Sequence, residues 1–90
     1  MGENVTNKPL IYSRDIRLIT QIIRQNKDRK KRITILRQRG YKVVEGGYMR
    51  NATKIGDSEY FPKKKQVRVV VSRPSVHYYR QFDYIVFNVR

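Results

Sequence analysis

The sequence predicts an α+β fold in which one or two N-terminal helices pack on a three-stranded antiparallel sheet. Up to Leu36 the apolar residues recur at helical spacing, with Ile16, Ile19, Ile22 and Ile23 along one stripe. Beyond Gly40 they alternate, with Val67, Val69 and Val71 on one side of an extended segment and Arg68 and Val70 on the other. Length adds a third constraint: 90 residues make one domain, and a chain of that size buries only about 60% of its unfolded surface. The core must therefore be small.

Residues 1–12 read as a polar lead-in, with Leu10 to Tyr12 suited to a short strand after Pro9, and residues 13–90 as a single domain. Ser13 fits a helix N-cap, and Asp15 suits the positive end of the dipole. The first helix is expected over about 13–26. From Arg24 to Arg32 there is no apolar residue. In one continuous helix Arg24, Asp28 and Arg32 would form an i, i+4 ladder, yet such a polar gap buries nothing on any face. That favours a turn at Asn26 and Asp28 and a second helix over about 29–39, stopped by Gly40. A conflict comes with it, because Arg29, Lys30, Lys31 and Arg32 then open the helix at the end of its dipole that repels cations.

Strands are expected at about 41–50, with Gly46-Gly47 as a bend or bulge, at 66–73, ended by Pro74, and at 82–90. Residues 51–66 carry Gly56, Asp57, Ser58, Pro62 and three lysines, which is loop chemistry. The last strand is apolar on both faces, since Phe82, Tyr84 and Val86 alternate with Ile85, Phe87 and Val89. It is either central or an edge strand covered by a second subunit, so a homodimer through the C-terminal strand is one expected partnership.

Charge is the outlying property. The 21 Lys and Arg against 7 Asp and Glu give a formal +14, well beyond the magnitude of about 2 to 8 that serves solubility. Ten of those cations, against Asp15 and Asp28, lie between residues 13 and 39. Self-repulsion of this size destabilises a compact state, and the expected compensation is an anionic partner, DNA or RNA rather than a membrane. No cysteine is present, which excludes disulfides and thiolate metal sites. The acids are scattered and His77 is the single histidine, so no metal or cofactor is expected. No apolar run approaches the roughly 20 residues of a membrane span, and Met1 to Pro9 lacks the features of a signal peptide. The expected location is the cytoplasm, or the nucleus in a eukaryotic host.

Three constellations carry candidate chemistry. The helical cluster Arg24, Lys27, Arg29, Lys30, Lys31, Arg32, Arg37 and Arg39 has few interspersed acids, and such cations can replace counterions along a phosphate backbone. The run Tyr60-Phe61-Pro62-Lys63-Lys64-Lys65 places two rings beside three cations. On a hairpin tip the lysines suit phosphate contact, while the rings suit packing on the core. The third set, Arg73, His77, Tyr78, Tyr79, Arg80, Phe82 and Tyr84, alternates cations with aromatics as a single-strand platform does. Phe82 and one of Tyr78 and Tyr79 belong to the core on this reading. Arg73, Tyr79 and Arg80 are the candidate contacts, and Tyr84 is a candidate for exposure.

The expected function is nucleic-acid binding through backbone electrostatics with low sequence specificity. A helix-turn-helix with the 41–51 and 67–72 strands as a wing is one architecture that could deliver it. The glycine-bearing signature of RNA-recognition sheets is absent, and Gly46-Gly47 lacks the Lys-Ser/Thr of a phosphate loop. His77, with Arg73, Arg80, Tyr78 or Tyr79 beside it, offers a base, a cation and a proton donor that could cleave RNA at the 2′-hydroxyl. A small basic chain with an optional first strand, two helices and then three antiparallel strands resembles, in element order, the ribosome-dependent RelE-type ribonuclease toxins. That resemblance implies RNA cleavage as an alternative function, without assigning roles to residues. A basic inhibitor or adaptor docking on an acidic protein surface is the other alternative.

Overall fold

The structure, a computed structural model, describes residues 13–74 and 80–89. The polar lead-in and its expected strand lie outside the described residues. Two helices, α1 (Ser13–Gln25) and α2 (Arg29–Gln38), precede four strands: β1 (Lys42–Tyr48), β2 (Ser58–Phe61), β3 (Gln66–Ser72) and β4 (Gln81–Asn88). The strands form one antiparallel sheet in the order β1-β4-β3-β2. The chain is thus an α+β fold with two N-terminal helices on a four-stranded antiparallel sheet.

The helices break where the polar gap predicts. Asp28 caps α2, its carboxylate accepting from the Lys31 N–H at 3.2 Å. At the other end Gly40 adopts φ +92°, and the N–H of Tyr41 returns to the Leu36 carbonyl at 3.1 Å. That left-handed residue turns the chain into β1, and glycine adopts it without a Cβ penalty.

Register assigns the two faces of the sheet. Val43, Ile85 and Val69 stand across from one another on the helix side, where Ile19, Ile22, Ile33 and Leu36 close the main core over Val43, Val71 and Ile85. On the opposite side the connection from β1 to β2 folds over one end of the sheet, burying Met49 and Ala52 against Val70, Phe82 and Tyr84. Asp57 holds that connection in shape by accepting from the Thr53 N–H at 2.8 Å, the Thr53 hydroxyl at 3.1 Å and the Lys54 N–H at 3.0 Å. The Thr53 amide is the first cause of an Asp57 pKa below the usual carboxylate value.

Two expectations change, and one open alternative is decided. Residues 58–61, expected to be loop, form the edge strand β2, paired with β3 from Ser58↔Val69 to Phe61↔Gln66. The C-terminal strand is central, hydrogen-bonded to β1 on one side and β3 on the other, so it has no open ladder for a second subunit. The same order places β4 between the two strands of the expected wing, which therefore do not form a hairpin.

Candidate nucleic-acid interface

The basic run around α2 divides by side chain. Arg29 turns inward and grips Asp83, which is fully buried, with Nε 2.7 Å from Oδ2 and Nη2 3.0 Å from Oδ1. Nη2 also reaches Glu45 at 3.3 Å. The Asp83 hydrogen bond raises the Arg29 pKa, and this two-point geometry is the one a guanidinium provides. The second oxygen of Asp83 is used further, accepting from the Gly46 N–H in the β1 bulge at 2.9 Å.

Arg32 is more deeply withdrawn, at 6% exposure. Its guanidinium donates to the carbonyls of Val71 at 2.7 Å, Asn26 at 2.8 Å and Ile23 at 3.0 Å. Two of these acceptors close α1, so an arginine in the first turn of α2 caps the negative end of the preceding helix. Burial works against the charge and lowers the Arg32 pKa. Of these two expected phosphate contacts, Arg32 is thus buried and Arg29 half-buried, each with its donors engaged by acceptors of the fold.

Lys30 and Lys31 remain exposed in the first turn of α2, with exposed Lys27 in the turn before it and exposed Arg24 in the last turn of α1. Arg37 is half exposed and bonded to the Val43 carbonyl at 2.9 Å and to Glu45 at 3.1 Å. Arg39 is exposed after α2. Each of the six acids in the described residues accepts a hydrogen bond within the domain: Asp15 from Tyr41, Asp28 from Lys31, Glu45 from Arg29, Asp57 from Thr53, Glu59 from Asn51 and Asp83 from Arg29. Asp28 is the one acid within the exposed group.

The cations collect at opposite ends of the sheet. Arg32 ties the α1–α2 turn to Val71, so Arg24, Lys27, Lys30 and Lys31 lie at the end where β3 finishes. Arg73 and Arg80 flank the same end: Arg73 is exposed, donates to the Thr53 carbonyl at 2.9 Å and stands 5.6 Å from the Phe82 ring centre. Arg80 is half-buried with φ +61°, and its carbonyl accepts from Met49. At the far end Lys63, Lys64 and Lys65 are exposed on the Pro62–Lys65 turn between β2 and β3, the expected hairpin tip, with Arg39 near the start of β1. About 20 Å of strand separates the two groups. Tyr79, with His77 and Tyr78, lies outside the described residues.

Tyr84 corrects its expectation, being 6% exposed, while Phe82 is core as expected. A Cβ placed on Gly47 would come within 2.4 Å of the Tyr84 ring, so glycine is what allows that ring to approach β1 this closely. Over the ring sits Arg68, a residue outside the three sequence constellations. Its guanidinium lies 5.0 Å from the Tyr84 ring centre and 4.0 Å from that of Phe61. Its place among the alternating valines of β3 is visible in the sequence, but its aromatic neighbours come from β2 and β4 and appear only with the register.

Among the described residues no group of acids and histidines is arranged to hold a metal ion, and no helix is long and apolar enough to cross a membrane. Compared with protein-family models, curated protein sequences and solved structures, the chain matches none.

Proposed function

We propose that the protein binds nucleic acid through the phosphate backbone, with little sequence preference, and that Arg24, Lys27, Lys30 and Lys31 at the α1–α2 turn are its principal contacts. One observation carries the reading. These four cations stand exposed together with Asp28, the N-cap of α2, as the one acid among them. Lys30 and Lys31 also sit at the cation-repelling end of α2, where each costs a few tenths of a kcal/mol. A phosphate at that position offsets the cost and meets the dipole with favourable sign. Lys63, Lys64, Lys65 and Arg39 supply a second contact along a polymer long enough to reach both ends.

Salt dependence tests the proposal. With about four to eight phosphates neutralised, affinity for a fluorescent polynucleotide falls about 10² to 10⁴-fold between 50 and 200 mM salt. Anisotropy titrations that showed salt-independent binding, or none at 50 mM to single or double strands, would overturn it.

A further inference from the structure

We propose that the helix-free side of the sheet is a second contact surface, specific for single-stranded nucleic acid, on which the Arg68 guanidinium is the platform for a base. The inference rests on the nucleic-acid reading above and adds a substrate class to it. Both helices pack on the other side, and the β1–β2 connection covers the end of this side near Phe82. The remainder carries half-buried Val44, Phe61, Arg68 and Val86 beside exposed Lys42.

The Arg68 guanidinium is held in place by two rings and a side-chain acceptor. Phe61 and Tyr84 lie beneath its guanidinium at 4.0 and 5.0 Å, and the Gln66 side-chain oxygen accepts from Nε at 3.3 Å and Nη2 at 3.2 Å. A planar cation backed by rings is a stacking partner for an unpaired base. Bases inside a duplex are already stacked, so the surface discriminates in favour of single strands.

Charge complementarity names the occupant. Lys42 stands two strands from Arg68, about 10 Å away across β4, and Lys63 to Lys65 lie just beyond Gln66, so a strand crossing Arg68 has cations on both sides. Glu59 is the one acid that the paired register places on this face, and its carboxylate is taken by the backbone and side-chain N–H groups of Asn51, each at 3.1 Å.

The test compares three probes of equal length: a single-stranded oligothymidylate, its abasic counterpart with the same phosphates, and a duplex. The wild-type chain is expected to bind the base-bearing strand at least about fivefold more tightly than the abasic one, the lower end of what one stacked base contributes. Arg68→Lys keeps the charge and removes the plane. It should bring that ratio to one and leave abasic and duplex affinities unchanged. A wild-type ratio of one, or a ratio that survives Arg68→Lys, overturns the platform and leaves the phosphate reading standing. Failure to bind any of the three at 50 mM salt overturns both. If Arg68→Lys does not fold, the Arg68 Nε–H resonance of the wild type decides. An upfield shift with the base-bearing strand alone supports stacking, and no shift overturns it.

Discussion

On the inward side of α2, Arg29 and Arg32 are locked to Asp83 and to three main-chain carbonyls; on the outward side, Lys30 and Lys31 meet water. The four residues are consecutive, and their formal charges are identical. What separates them is chemistry. A guanidinium carries a fixed fork of donors and is weakly hydrated, so it can satisfy several buried acceptors at once, whereas an ammonium is a compact, strongly hydrated charge. The comparison teaches that a cationic run is not by itself a cationic surface: over residues 29–32 the two guanidinium groups serve the fold and the two ammonium groups face water, while Arg24 and Arg39, without such buried acceptors, stay exposed.

The largest test of this division is Arg32→Leu. It leaves the carbonyls of Val71, Asn26 and Ile23 without their donor, and urea unfolding should show a loss of about 3 kcal/mol or more; a cost below about 1 kcal/mol would break the inward half of the comparison. Asp83→Asn comes next, at about 3 kcal/mol, because it strips a buried partner from Arg29 and weakens the bond to Gly46. Gly47→Ala sharpens the contrast on the far side of the sheet, where the new methyl displaces the Tyr84 ring and costs about 1 to 3 kcal/mol.

Tyr41→Phe provides a milder case, a half-buried contact made without arginine. The Tyr41 hydroxyl donates to Asp15 at 2.8 Å and ties β1 to the start of α1. Burial first, then that bond and the Asp15 charge, push its pKa up to about 12. The fold favours the neutral phenol, so the contribution is complete below about pH 10, the ordinary phenol value, and is lost as pH rises towards 12. The substitution should cost about 1 kcal/mol near neutrality, and the gap between variant and wild type should close over that window in denaturation measured at each pH.

Much of the fold is legible in the sequence, because the signals for it are local. The helical stripe ending at Ile23, the polar gap, the Gly40 stop and the valine alternation place α1, α2, β1, β3 and β4 within a residue or two. Strand β2 is not legible: only four residues lie between the turn chemistry of Gly56-Asp57 and Pro62, and pairing with β3 makes them a strand. The site divides the same way. Cation density is written in the run itself, but the orientation of Arg29 depends on Asp83, 54 residues away, and that of Arg32 on Val71, 39 away. No local pattern contains those partners.

The smallest expected effect on stability belongs to the outward side. Replacing Lys27, Lys30 and Lys31 together by Gln should change unfolding by less than about 0.5 kcal/mol, or stabilise slightly by removing cations from the α2 dipole. The central claim is that these side chains contact phosphate while their inward neighbours hold the fold. The most direct measurement is therefore the slope of log affinity against log salt for one polynucleotide, taken with the wild type and with this folded triple variant. The account predicts a slope shallower by about 2 to 3. An unchanged slope with binding intact would contradict it.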